Sequence, residues 1–365
     1  MEMGKKLLLC VQRLADWYCR NTADDGSTPF MIYTEDRRIE PAYEWSTAFA
    51  FMGMISAYKV FGNSEYEQTA AKMLKYLKSL QIMDKASPHY GAFRERTPET
   101  NWCYVRDGLS AAWAMIEAAD IYGDKECLDR AVLWAEWFMR HGIDETGWPY
   151  WGLFFDLDKG IDKDVQMCND IHGCFHGGSL NFFYHLYRAT GDRRWVGDFF
   201  EHMADYFVST IQQQDGFFRS VEKATGNPPP ADPQSGLHRA NDDLGTLGLL
   251  CASQIYPKQS YSMAISKFLD AVFSRQNADG SFESSCASVP VVLNIARESG
   301  YHIPEKAEER AWDFLFSRQF PDGDPSFAGG LNESDLGYLC IRSMSYALIV
   351  ITKIIGNNTR FLSIN

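Results

Sequence analysis

Ser274-Arg275-Gln276-Asn277-Ala278-Asp279-Gly280-Ser281-Phe282 closes a helical pattern rich in alanine and aromatic residues, and recognisable copies of it recur along the chain. Arg20 to Gly26 follows Asp16-Trp17-Tyr18, and Ser79-Leu80-Gln81 runs on to Tyr90-Gly91-Ala92-Phe93. Arg140 to Trp148 follows Trp137-Phe138, and Gln213-Gln214-Asp215-Gly216-Phe217 follows Tyr206-Phe207. Ser317-Arg318-Gln319 leads to Asp322-Gly323 and Phe327. Six copies at roughly sixty-residue spacing mark a repeat architecture, in which each unit buries its apolar face against its neighbours.

Each repeat reads as two helices. Glu44 to Phe61 carries Phe49, Met52, Gly53, Ser56 and Ala57 on one face, small enough for close helix contacts, and suits an inner helix. Gly62-Asn63 is a stop, with Ser64 as the expected cap of an outer helix running to Leu80. The pair returns as 107–122 with 125–139, as 176–189 with 195–210, and as 243–255 with 261–275. A fifth inner helix contains or adjoins Pro290 and leads to an outer helix over 305–318. The last inner helix is expected over 334–355, without an outer mate, while the first helix, 5–20, has no inner mate. If these two pair, six hairpins close on themselves, so the expected fold is an all-α, twelve-helix (α/α)6 toroid over residues 1–365 as one domain. An open solenoid would leave apolar end faces wet.

Composition limits what such a body does. A formal charge of −13 argues against nucleic acid or an anionic membrane as the main partner. No run of apolar residues is long enough for a membrane-spanning helix. The apolar stretch at Leu7-Leu8-Leu9 turns polar at Gln12-Arg13, which argues against an export signal. Nine cysteines, an odd number set mostly in apolar stretches, suit a reducing compartment, so a cytoplasmic location is expected.

Tyr187-Arg188-Ala189-Thr190-Gly191-Asp192 followed by Trp195 and Ala204-Asp205-Tyr206 resembles the inter-helix turn of six-hairpin carbohydrate-active enzymes: glycoside hydrolases, sugar epimerases and polysaccharide lyases. The Gln-x-x-Asp-Gly-x-aromatic element at Gln276 to Phe282 is also similar to the repeat of terpenoid cyclases and protein prenyltransferases. Both resemblances imply the toroid. The first implies an oligosaccharide or other small-molecule substrate.

Loops running from an outer helix to the next inner helix are the long ones: 25–43, 84–106, 145–173, 215–242 and 322–335. They deliver acids and aromatics to inner-helix starts, where a carboxylate is stabilised by the helix dipole or caps free N–H groups. Glu44, Asp107 and Asp243 are therefore candidates for the acid and base of glycoside hydrolysis, with Glu44 as acid and Asp107 or Asp243 as base. Trp45, Trp102, Tyr104, Trp148 and Trp151 have the chemistry to stack on sugar rings, and Asp242 adjoins Asp243. The same residue types also serve as core aromatics and helix caps.

A second chemistry uses the same loops. His172, His176, His238, Arg106, Arg239 and Tyr104 suit a uronate-directed lyase or an epimerase, which moves a proton beside a carboxylate or carbonyl. A terpenoid cyclase would need an acidic motif, of which Asn241-Asp242-Asp243 is a partial match, and a non-catalytic glycan binder would keep the aromatics alone. Cys168, His172, Cys174 and His176 are zinc-ligand types, but their spacing lacks the usual pairs, so no cofactor is expected. The oligomeric state is not readable from the residues.

Overall fold

The structure, a computed structural model, describes residues 2–143, 170–171, 173–218, 221–222, 243–282, 286–333 and 337–356. In chain order its elements are α1 (Glu2–Asn21), β1 (Met31–Tyr33), β2 (Ile39–Glu40), α2 (Glu44–Phe61), α3 (Ser64–Leu80), α4 (Val105–Tyr122) and α5 (Lys125–Trp137). Then come β3 (Asp170–Ile171), α6 (Gly173–Thr190), α7 (Asp198–Tyr206), β4 (Val221–Glu222), α8 (Asp243–Ile255), α9 (Gln259–Ser274), α10 (Ser288–Glu298), α11 (Ala307–Ser317), β5 (Tyr338–Cys340) and α12 (Ile341–Gly356). Of the described residues, those within 2–78 and 272–356 form one compact unit and those within 79–271 a second.

In the first unit α2 packs along α12, and α1 and α10 each pack on α12. The inner position of α2 follows from its sequence: from Glu44 to Ala57 all but Trp45 is buried, so there is no wet face to make it amphipathic. Gly53 lets α12 approach, because a Cβ there would sit 3.0 Å from Leu348. The expected meeting of the first and last helices is present. Tyr18 of α1 shares a 2.8 Å hydrogen bond with Ser345 of α12, and Gln319 Nε2 donates to the Cys10 carbonyl at 3.1 Å.

In the second unit the inner helices are α4, α6 and α8, with α6 packed against both of the others. The chain turns from inner to outer helix by one device. Gly62, Gly123 and Gly191 take positive φ, and the next residue caps the following helix: Asn63, Asp124 and Asp192 accept from the N–H groups of Glu65, Glu126 and Arg194 at 2.9 to 3.0 Å. Asn63 thus does the capping that the sequence suggests for Ser64.

The repeated stretch has a physical role. Gln276 Nε2 donates to the Gly280 carbonyl at 3.0 Å and to the Ala307 carbonyl at the start of the next outer helix at 2.9 Å. Gln81, Gln212 and Gln319 bridge in the same way, to Gly91 and Arg130, Gly216 and Ala264, and Gly329 and Cys10. Two corrections follow. The fourth copy is keyed by Gln212 rather than Gln213, and the sixth closes on Gly329 rather than Gly323, after an insertion. Each clamp joins successive hairpins through hydrogen bonds to two backbone carbonyls, most of them part-buried. Gln276→Ala is expected to cost about 1–3 kcal/mol, the penalty for stranding such groups, read as a lowered denaturant midpoint with an unchanged slope.

Helix boundaries differ in places. Pro290 is the third residue of α10, where its missing N–H has no intrahelical partner to lose. The outer helices expected over 125–139 and 195–210 end in π-helical turns, Phe138–Gly142 and Phe207–Ile211, and the second opens with a 3-10 turn at Arg193–Val196. The last helix starts at Ile341. Residues Tyr338–Cys340, expected to be helical, instead form β5, paired antiparallel with β1 in a sheet of order β2-β1-β5. A second ladder pairs β3 with β4 through Asp170↔Glu222 and Ile171↔Val221.

Candidate functional site

The long loops lead into the first turns of the inner helices, so the side chains there are the ones to examine. In the second unit Asp107 lies in the first turn of α4 and is buried. Just before it, the rings of Trp102 and Tyr104 meet edge-to-face at 5.1 Å, both half-buried, and the Arg96 guanidinium lies 5.9 Å from the Trp102 ring centre. Asp243 is the first residue of α8, and His176 lies in the first turn of α6. Arg106 is in the first turn of α4. Trp148, Trp151, Cys168, His172, His238, Arg239 and Asp242 lie outside the described residues.

In the first unit Glu44 opens α2 and is fully buried. Trp45 beside it stands in a chain of edge-to-face rings, 5.0 Å from Phe30 and 6.2 Å from Phe49, which in turn is 5.2 Å from Tyr346 of α12. That ladder gives Trp45 a packing role.

Two buried carboxylates escape the sequence reading. Glu95 and Glu333 lie four residues beyond Gly91 and Gly329, the glycines closed by the glutamine clamp. Glu95 N–H donates to the Trp102 carbonyl at 3.3 Å, tying it to the aromatic pair. Glu333 is 3.7 Å from Arg342 and accepts from the Ser343 hydroxyl. Their common offset from the glycine is the signal that finds them. Deeper in the second unit, Glu117 on α4 and His185 on α6 are also buried, the latter with its ring 5.5 Å from Trp113. A lone acid within Ala-Trp-Ala-Met-Ile-Glu-Ala was the available cue. Among the described residues no cluster of three His, Cys, Asp or Glu side chains forms a metal site.

A histidine pair ties the loop before α4 to the π-helical turn after α5. His89 is buried beside His141, with ring centres 5.7 Å apart, and Trp137 Nε1 donates to its Nδ1 at 3.5 Å. Burial, and then the neighbouring His141, push His89 down to about 4 from 6.5. Between those values the unfolded chain binds more protons than the folded one, so stability rises with pH across that window and falls on acidification. The loss between pH 7 and pH 4 is expected to reach about 3 kcal/mol, and urea midpoints for His89→Phe are expected to flatten much of that slope.

No family model and no curated protein sequence matches the chain. Solved structures do. The structure is similar to cellobiose 2-epimerase from Bacillus thermoamylovorans with a TM-score of 0.71 at 14% identity, covering 92% of this chain and 95% of that one. A family 76 glycoside hydrolase (mannosidase) from Bacteroides thetaiotaomicron matches with a TM-score of 0.69 at 13% identity over 97% and 98% of the two chains. The fold is an (α/α)6 toroid. A third similar structure is an α-1,6-mannanase of a Salegentibacter species, an inactive variant with two adjacent aspartates changed to asparagine, in complex with α-1,6-mannotriose. Its TM-score is 0.64 at 11% identity, over 96% and 98% of the chains. The expected twelve-helix toroid therefore holds, with short strands added beside the inner-helix starts. No described helix is long and apolar enough to cross a membrane.

Proposed function

We propose that this toroid is a glycoside hydrolase acting on an oligosaccharide, with carboxylates at inner-helix starts as its acid and base. The observation that carries the reading is the placing of acids on α4 and α8, both neighbours of α6, with the Trp102–Tyr104 pair in the loop that enters α4. Hydrolysis needs one carboxyl group to protonate the leaving oxygen and another to activate water or attack the anomeric carbon. Asp107 and Asp243, both on inner helices of the second unit, take these roles. Asp242 adjoins Asp243 in the sequence. This adjacent pair invites comparison with the two aspartates whose replacement accompanies inactivity in the Salegentibacter mannanase. α-1,6-linked mannooligosaccharides are accordingly the first substrates to test.

Trp102 and Tyr104 supply flat apolar faces for sugar rings, and Trp148, Trp151, His172, His238 and Arg239 are proposed as further contacts from the neighbouring loops.

A second reading, epimerisation, is favoured by the likeness to cellobiose 2-epimerase and by His176 in the first turn of α6 with Arg106 in that of α4. It requires a histidine to take and return a proton beside a carbonyl. The test is turnover of α-1,6-mannotetraose, maltotetraose and cellobiose, with products separated by chromatography and each then identified by mass. Shorter sugars support hydrolysis, and an isomer of unchanged mass supports epimerisation.

A further inference from the structure

The three-stranded sheet β2-β1-β5 was not foreseen from the sequence, and its two faces differ. Ile32 and Leu339 are cross-strand partners and both are buried, so between β1 and β5 that face is covered, while Ile39 across from Ile32 on the edge strand β2 is exposed. Side chains alternate along a strand, so their neighbours Tyr33 and Tyr338, also cross-strand partners, stand on the opposite face. Both are half-buried, with ring centres 5.8 Å apart. The Arg38 guanidinium lies 3.7 Å from the Tyr33 ring centre and pairs with Glu40, while 52% of the Arg38 side chain remains exposed. Rings, a guanidinium fork and a carboxylate thus share one accessible face.

That face is rigidly mounted. The Ile341 N–H, at the start of α12, donates to the Phe30 carbonyl at 3.1 Å. Thr34 donates twice to the Gly337 carbonyl, through N–H at 2.9 Å and Oγ1 at 2.7 Å. Four residues beyond β2 the chain enters α2 at the buried Glu44. Within this unit the platform therefore stands where the chain enters two inner helices.

We propose that the Tyr33–Tyr338 face is a sugar-binding platform that takes a pyranose ring of an oligosaccharide; this rests on the carbohydrate reading above. The occupant follows from the chemistry of the face. Tyrosine rings cover the C–H faces of a pyranose while their hydroxyls reach its polar rim. Arg38 offers donors and Glu40 acceptors to vicinal hydroxyls. The cation is balanced by its own acid, and the chain as a whole is strongly acidic, so neither nucleic acid nor an anionic surface is the better match. A neutral, hydroxyl-rich ring meets both the apolar and the polar parts. Mounting on hydrogen-bonded strands means that little side-chain order is lost on binding.

The test is calorimetric titration with α-1,6-mannotetraose, maltotetraose and cellotetraose of Asp107→Asn alone, as the reference, and of Tyr33→Ala, Tyr338→Ala and Arg38→Gln each combined with Asp107→Asn, so that no probe is consumed. At least one probe is expected to bind, and each tyrosine variant to bind it about tenfold more weakly, as loss of a stacking ring implies. Tyr33→Phe and Tyr338→Phe, which keep the ring, should retain most of the affinity. Arg38→Gln leaves both strands intact and should also weaken binding, which keeps the test open if an alanine variant unfolds. Unchanged affinity in the folded variants, or no binding of any probe, overturns the platform. Binding that depends on these residues without turnover by the unaltered protein sinks hydrolysis alone.

Discussion

Asp107→Asn and Asp243→Asn are each expected to abolish measurable turnover while shifting thermal unfolding only slightly. Asparagine has nearly the same shape and keeps hydrogen-bonding capacity at a helix start, but it cannot donate or accept the proton that glycosidic cleavage moves. Losing one such group costs about 10²–10⁴-fold in rate, since a positioned acid or base contributes that much. The structural cost is small by comparison. A carboxylate in the first turn stabilises a helix through its dipole by about 0.3–1 kcal/mol, so the unfolding midpoint moves by a few degrees at most. Initial rates and calorimetric melting of the same preparations check both halves. Full activity in both variants contradicts the paired-carboxylate reading, and joint loss of activity and fold assigns these acids to structure.

A large stability effect is expected at Gly280. Its φ of +94° lies where side chains with a Cβ are rarely found, and an added Cβ would sit 2.1 Å from the Arg310 carbonyl oxygen of α11. No rotamer relieves a clash between a Cβ and a backbone, so α11 must move or the turn must open. Gly280→Ala is therefore expected to cost about 4 kcal/mol or more, placing it among the exceptional single substitutions. Gly62→Ala is the matched comparison. Its φ is also positive, at +64°, but nothing lies within 4 Å of the added atom. It should cost only about 1–2 kcal/mol, the strain of a left-handed alanine. Chemical denaturation of the two variants separates backbone strain from close approach, and equal losses contradict the role given to the repeated glycine.

The repeat was legible because its chemistry is local. A glutamine, a glycine four residues later and an aromatic residue after that can be read in one line, and the clamp recurs at that spacing at Gln212 and Gln276. Its register was less so. Gln212-Gln213-Gln214 offers three identical side chains, and only the contact with Ala264 singles out the first. Gly323 looked like the sixth closing glycine because the loop insertion that moves the role to Gly329 leaves no mark in spacing alone.

β5 was missed for a related reason. Tyr338-Leu339-Cys340 is a short apolar run continuous with a strong helix, and its partner β1 lies some three hundred residues away. Strand pairing is decided by such distant partners rather than by local propensity. The candidate acids were legible as a type, because an inner helix that opens on Glu44, Asp107 or Asp243 stands out from its apolar interior. Glu95 and Glu333 were not, since their burial depends on how the preceding turn folds back.

Mass balance of the chromatographically separated products from α-1,6-mannotetraose tests the central claim most directly, with maltotetraose and cellobiose alongside. Hydrolysis adds one water across each broken bond, so the account predicts shorter sugars whose masses sum to substrate plus water, and none with Asp107→Asn or Asp243→Asn. An isomer of unchanged mass, or fragments whose masses sum to the substrate without water, would contradict it.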